Sequence, residues 1–283
     1  MSPPAKPQEP LAARYRREGF IHAQQLLDAE AVAEALADAK GVFARLMATV
    51  GIPAPVDDEA AFHEAFVIFG RAHPLLFGRA VAATSTLVSI RALGASAPMI
   101  GLVKALGLSS PCCPTPPICY FLTEGLAIPG DHHRAPAHQD WRYLQSSIDA
   151  LTVWVPLVDV DAARGVVELA PRTHRLGLLP TRSQRHDLRI ADGLVDDGAY
   201  TAPALRRGDA LAFSCLTVHR SGVNASGRVR WAVAYRFANL DEPSFAARGM
   251  PNPYRFEPSL EVIDAGFPTA EDLLPIFGPP EEG

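Results

Sequence analysis

The chain reads as an α+β protein in which N-terminal helices pack on one face of a β-sandwich or jelly roll. Three observations predict this. Apolar residues recur at three- and four-residue spacings as far as about residue 107, which is the helical period. From Pro111 onward the chain turns to short runs of valine, isoleucine, threonine and aromatic residues, the composition of strands. Turns rich in glycine, proline and aspartate separate those runs, and helices followed by many short strands is the α+β order.

The elements follow in sequence. Residues 1–10 are proline-rich and read as disordered. Leu11 to Val50 is helical with a break at Gly19-Phe20; beyond it Leu26, Leu27, Val32, Leu36, Ala39, Val42, Phe43 and Leu46 share the 3.6-residue period. Asp28 is a natural cap for the second helix, with Glu30 in its first turn. A polar stretch from Ile52 to Asp58 leads to helical residues 59–107, interrupted near Pro74 and Pro98. The run from Pro111 to Pro117 cannot be helical, and strands are predicted at Ile118–Thr123, Ala137–Tyr143, Ser147–Leu157, Val166–Ala170, Ala210–Phe213 and Arg228–Ala238. Turns fall at Pro129-Gly130-Asp131, Arg164-Gly165 and Arg207-Gly208-Asp209. Residues 181–203 form a polar insertion, and a short helix is expected near Ala270–Leu274 in an otherwise irregular tail.

A chain of 283 residues can bury a sizeable core. No repeat or shift in composition marks a second domain, so 1–283 reads as one domain with 241–283 an irregular extension. The net charge of −5 gives no electrostatic reason for nucleic-acid or anionic-membrane binding. No apolar run approaches the about 18 residues of a membrane span. The opening ten residues lack the apolar core of a secretory signal, making the cytoplasm the expected location. Among the four cysteines, the adjacent Cys112-Cys113 pair has neither redox nor zinc spacing, and all four read as reduced structural thiols.

The chemistry concentrates in two places. His138 and Asp140 are separated by one residue, and in a strand they would point to the same face. His219, distant in sequence at the end of a strand-like run, is the candidate third ligand. Two imidazoles and one carboxylate form the facial triad that favours non-heme Fe(II) and leaves coordination positions open.

Several further motifs resemble those of the phytanoyl-CoA dioxygenase family of Fe(II)/2-oxoglutarate oxygenases, over about Leu11 to Leu240. Tyr15-Arg16-Arg17-Glu18-Gly19-Phe20 is similar to the family's opening Y-x-x-x-G-F helix, and His138-Gln139-Asp140 to its metal motif. Leu151 to Leu157 resembles the strand after it. Arg164-Gly165 with Pro171 to Arg175 resembles its NG…PGSH-K/R turn, although Arg164 replaces asparagine and Arg172-Thr173 replace glycine and serine. Gly208-Asp209 and His219-Arg220-Ser221-Gly222-Val223-Asn224 are similar to its closing GD…H-x-S-x-x-N segment. The resemblance implies a double-stranded β-helix (jelly roll) core, iron held by His138, Asp140 and His219, and 2-oxoglutarate and O2 as cosubstrates. It also implies that Arg230 binds the distal carboxylate of 2-oxoglutarate, that Ser221 shares it, and that Trp154 and Tyr120 line the pocket. A guanidinium suits that task because it meets a carboxylate with two parallel bonds. Retention of Asp140 argues against halogenation, for which relatives lose this carboxylate.

Alternation along the last strand adds one inference. With Arg230 inward, Ala232, Ala234 and Arg236 share its face, while Trp231, Val233, Tyr235 and Phe237 face the helices. An inward Arg236 requires an anionic or hydrogen-bonding partner, either a polar or carboxylated substrate or a nearby acid. Arg142 and Trp141, next to the metal motif, are further substrate-contact candidates, and Arg142 would share the inward face with Asp140. Arg182, Arg185, His186 and Arg189 read as a solvated loop, His132 and His133 as a loop rather than a second metal site, and His174 as a turn residue bonded to backbone. The predicted protein is a dioxygenase hydroxylating a small polar metabolite or natural-product intermediate. Desaturation, epimerisation or cyclisation with the same cofactors, and a non-catalytic jelly-roll binding protein, are the alternatives.

Overall fold

A computed structural model describes residues 9–123, 126, 135–182 and 189–251. The chain divides into two compact units, Met1–Pro253 and Tyr254–Gly283, and every described residue belongs to the first. The Pro129-Gly130-Asp131 turn, His132, His133, Arg185, His186, the helix near Ala270–Leu274 and most of the expected N-terminal disorder lie outside the described residues.

Helices α1 (Leu11–Glu18), α2 (Ala29–Thr49), α3 (Glu59–Ala72), α4 (Pro74–Thr84), α5 (Val88–Ala95) and α6 (Ala97–Ala105) make the helical part. Their starts have identifiable causes. The Asp28 side chain accepts from the backbone N–H groups of Glu30 and Ala31, and Asp58 does the same for Ala60 and Ala61. Pro74 and Pro98 lie in the first turns of α4 and α6, where no N–H is required, so they begin helices rather than interrupt one.

The strands are β1 (Phe20–Ala23), β2 (Pro111–Cys112), β3 (Ile118–Leu122), β4 (Leu151–Pro156), β5 (Val167–Leu169), β6 (Ala210–Ser214), β7 (His219–Ser221) and β8 (Arg230–Asn239). Two short helices, α7 (Trp141–Leu144) and α8 (Pro243–Ala247), complete the described elements. A six-stranded antiparallel sheet runs β1-β6-β4-β8-β2, with β3 also paired to β8, and β5 and β7 form a two-stranded sheet. These strands form no closed barrel among the described residues.

Alternation sorts the faces of the large sheet. Trp231, Val233, Tyr235 and Phe237 of β8, with Leu151, Val153 and Val155 of β4, pack with the helices in the main core. Ala232, Ala234, Trp154, Leu211 and Phe213 face the other way, where they meet Val167 and Leu169 of the small sheet. At the centre of the helix-facing core the Phe43 ring lies 4.9 Å from Phe66, 5.2 Å from Phe121 and 5.7 Å from Trp231. Packed rings of this kind carry much of a core's energy.

Two departures from the predicted elements matter. The Gly19-Phe20 break is a helix end followed by a strand: Gly19 takes φ 83° and donates its N–H to Tyr15 O, and Phe20 pairs with Phe213 of β6. Four residues are too few for a period to be read. The second departure is Ala137–Tyr143, which is not a strand. His138 makes a single bridge to His219, Asp140 adopts helical φ −62° and ψ −27°, and α7 follows immediately. No single described helix is long and apolar enough to cross a membrane.

Gly19 is required twice, by its left-handed backbone and by space, since a Cβ there would overlap His174 Nδ1 and lie 2.8 Å from Thr217 Oγ1. Gly19→Ala is therefore expected to destabilise the fold by about 2–4 kcal/mol in urea unfolding. A midpoint indistinguishable from wild type would contradict this packing.

Candidate active site

His138 and His219 come together through backbone. The N–H of each donates to the carbonyl of the other, at 2.9 and 3.1 Å, so the two residues form a directly opposed pair. Opposed residues project on one side, and the ring centroids stand 4.1 Å apart. Asp140 reaches the same place by the helical turn after Gln139. Its Oδ1 is 3.5 Å from His138 Nε2, and its Oδ2 is 3.9 Å from His219 Nε2. One ligand atom from each of the three residues lies within 4.8 Å of the others, and all three residues are buried. The strand alternation expected for His138 and Asp140 is thus not what joins them.

The polar surroundings prepare these groups. His138 Nδ1 is 2.7 Å from Pro136 O and His219 Nδ1 is 3.1 Å from Thr217 O. A carbonyl can only accept, so each Nδ1 carries the proton and each Nε2 presents its lone pair inward. Burial, with His138 alongside, pushes His219 down to about 3 and keeps it neutral. Burial opposes ionisation of Asp140, but the Arg236 guanidinium beside it outweighs that and holds its carboxyl well below the usual range. Asp140 Oδ2 accepts from Thr152 Oγ1 at 2.6 Å and Oδ1 from Arg236 Nη2 at 3.0 Å. Two imidazole nitrogens and an ionised carboxylate make a donor set suited to a divalent transition metal.

Gln139 fixes the turn between the first two ligands. Its amide nitrogen donates to Gly177 O and Leu216 O at 2.8 and 2.7 Å, and its oxygen accepts from Leu179 N at 2.8 Å. Thr217 Oγ1 donates to Gly19 O at 2.9 Å, which ties the distal histidine's backbone partner to the N-terminal glycine.

Arg230 lies in the same cavity, only 1% exposed. It donates through Nη1 to Gly165 O and sits 5.6 Å from the Trp154 ring, but its Nε has no acceptor and no described carboxylate pairs with it. Burial lowers it to about 10, the sign of a cation lacking its counter-ion. Tyr120, Trp154, Ser221 and Arg236 line this cavity together with Arg230 and the three metal-ligand candidates. Ser221 Oγ accepts from Ala135 N at 3.2 Å, and Tyr120 OH accepts from Arg236 Nη2 at 3.2 Å.

Trp141 and Arg142 are not among the residues lining it. Because α7 begins at Trp141, strand alternation does not carry past Asp140. Trp141 donates to Ser147 O at 3.1 Å and packs with Leu144 and Cys215, while Arg142 donates to Leu179 O at 2.6 Å. His174 bonds Arg16 O, as its turn position suggested, and Arg182 pairs with Asp192. Thr152 and Gln139 are the polar residues that the sequence reading passed over. Thr152 had a signal: it stands two positions before the inward Trp154 on β4. Gln139 had none, since its partners come from two distant loops.

A sequence profile of the phytanoyl-CoA dioxygenase (PhyH) family matches residues 15–232. No curated protein matches the chain. Among solved structures, the non-heme monooxygenase ThoJ in its apo form is 20% identical, with 81% of this chain and 77% of that chain covered and a TM-score of 0.57. The epimerase SnoN in complex with Fe3+, α-ketoglutarate and nogalamycin RO is 22% identical, with 89% and 92% covered and a TM-score of 0.57. AviO1 from Streptomyces viridochromogenes Tue57 is 18% identical, with 86% and 96% covered and a TM-score of 0.54. These likenesses describe a shared fold, whereas the profile match spans most of the chain and includes both histidines and the aspartate. The chain belongs to the phytanoyl-CoA dioxygenase family and is an enzyme of the Fe(II)/2-oxoglutarate-dependent oxygenase type, with iron, 2-oxoglutarate and O2 as its cofactor and cosubstrates.

Proposed function

We propose that this enzyme hydroxylates an aliphatic C–H bond of a small, polar metabolite or natural-product intermediate, within a jelly-roll core. One observation carries the reading: three convergent ligand atoms and a buried guanidinium without an anion line a single cavity. His138 and His219 hold Fe(II) through Nε2 and Asp140 holds it through its carboxylate. Arg230 receives the distal carboxylate of 2-oxoglutarate, which satisfies its open Nε, and the Ser221 hydroxyl shares that carboxylate. Trp154 and Tyr120 wall the cosubstrate off from water. Bound iron, with 2-oxoglutarate and O2, supplies the oxidising power for C–H cleavage, and the cosubstrate leaves as succinate and CO2. Thr152 and Arg236 hold the Asp140 carboxylate by one oxygen each, fixing its orientation toward the ion. Four free thiols suit a reducing, cytoplasmic compartment.

The same residues serve desaturation, epimerisation or cyclisation, because the outcome depends on where the substrate carbon lies. Relatives in fold include both a monooxygenase and an epimerase, which keeps the second reading in play. Product mass separates them: one added oxygen supports hydroxylation, loss of two hydrogens means desaturation or ring closure, and unchanged mass means epimerisation.

Asp140→Ala is expected to abolish conversion of 2-oxoglutarate to succinate. It should also weaken anaerobic Fe(II) binding by more than the roughly 10–100-fold that outer partners of a ligand contribute. Retained turnover would defeat the assignment of this ligand. Arg230→Met is expected to weaken 2-oxoglutarate by about 30-fold or more, the scale of a truncated buried charge pair, with Fe(II) affinity nearly unchanged. The ligand-free Arg230→Met protein should melt at or above the wild-type temperature, because an unpaired buried charge has been replaced by apolar volume. A lower melting temperature with unaltered cosubstrate affinity would show Arg230 to be structural.

A further inference from the structure

Arg236 is 5% exposed and spends only one of its three nitrogens. Nη2 donates to Asp140 Oδ1 and to Tyr120 OH, whereas Nε and Nη1 have no acceptor. Buried donors are almost always satisfied, and a guanidinium carries five N–H groups, so two silent buried nitrogens on a residue lining the cavity mark where an acceptor is expected. The nearby acid anticipated for this arginine is present in Asp140, but it does not satisfy the side chain.

Charge reaches the same point independently. Asp140 is the only carboxylate among the described residues that line the cavity, whose cations are Arg230 and Arg236. Under the proposed function the distal carboxylate of 2-oxoglutarate matches Arg230. Its other carboxylate, together with Asp140, matches the two charges of Fe(II). Asp140 is then shared between the ion and Arg236, and the site keeps one positive charge in excess, which a buried site does not tolerate without a further anion. Arg236 also stands away from the cosubstrate's distal anchor. It pairs across the sheet with Thr152 beside Asp140, and six residue steps along β8, about 20 Å of strand, separate its backbone from that of Arg230.

We propose that the substrate carries a carboxylate, which the open N–H groups of Arg236 receive beside the metal centre. This rests on the function proposed above and narrows it to small organic acids. Arg236 thereby bridges the substrate and the Asp140 ligand, so that one guanidinium orients both.

The test uses the full chain loaded anaerobically with Fe(II) and 2-oxoglutarate. Small monocarboxylic acids of graded size, from acetate through butyrate and benzoate to larger metabolite acids, are titrated beside their methyl esters and primary amides. Binding is read as a change in the visible absorption of the iron–cosubstrate chelate, and aerobic succinate release is read in parallel. Acids are expected to bind, with the matching esters and amides at least about tenfold weaker. With Fe(II) and 2-oxoglutarate held at saturation, Arg236→Gln should lose the preference for acids, so that acids and their esters and amides bind within about threefold of one another. Equal binding of acids and neutral analogues by the wild type, or no acid binding at all while succinate still forms, overturns the proposal. So does a saturated Arg236→Gln protein that still prefers the acids to their esters by as much as the wild type, because the acid would then be received elsewhere. If that variant does not fold, the comparison of acid with ester in the wild type decides alone. Absence of any succinate from the iron-loaded wild type would instead defeat the proposed function.

Discussion

The reciprocal pair of backbone hydrogen bonds between His138 and His219 is the constraint on which the site depends. It joins two segments far apart in sequence and sets their imidazoles side by side, before any metal contributes. Neither segment could do this alone. β7 has three residues, and His138 belongs to no strand, so each needs outside support. Gln139 supplies it on one side by binding the loops at Gly177, Leu179 and Leu216. On the other side, Thr217 binds His219 through its carbonyl and Gly19 through its hydroxyl. That link gives a physical meaning to the glycine of the N-terminal motif, which lies remote from the metal ligands in sequence but one residue from the distal histidine's support in space.

The cavity concentrates charge beside a largely apolar core. Asp140 and Arg230 are 1% exposed and Arg236 5% exposed, and burying ions is costly unless partners are supplied. The opposite face of the same sheet offsets that cost. There Trp231, Phe121, Phe43 and Phe66 interlock, a cluster in which every ring adds burial and geometry. One strand serves both purposes: β8 presents Trp231, Val233, Tyr235 and Phe237 to the helices and Arg230, Ala232, Ala234 and Arg236 to the site. Stability and chemistry are thereby carried by alternate residues of one strand.

Much of this was legible in the sequence, for reasons that can be named. The aspartate cap at Asp28 acts within a few residues of itself, and the helical period of α2 and α3 records which face is buried. The ten-residue strand β8 is long enough for alternation to decide the direction of each side chain. Where the determining contacts were distant, local reading failed. The metal motif reads as a strand because its His-x-Asp spacing suits the two-residue period of one, yet it is a bridge followed by a turn of helix, and this displaced Trp141 and Arg142 from the cavity.

Residue types and local periods by themselves determined the helical half, the strand-rich half and the identity of the three ligand candidates; the family resemblance turned Arg230 inward, and alternation then placed Arg236 on the same face. Only the tertiary structure decided how those ligands meet, that Thr152 and Arg236 share Asp140 between them, and that both buried arginines keep nitrogens without acceptors. The reason is physical. Caps and periods are written within a turn or two of chain, whereas hydrogen-bond satisfaction and charge balance are properties of the space in which distant segments converge.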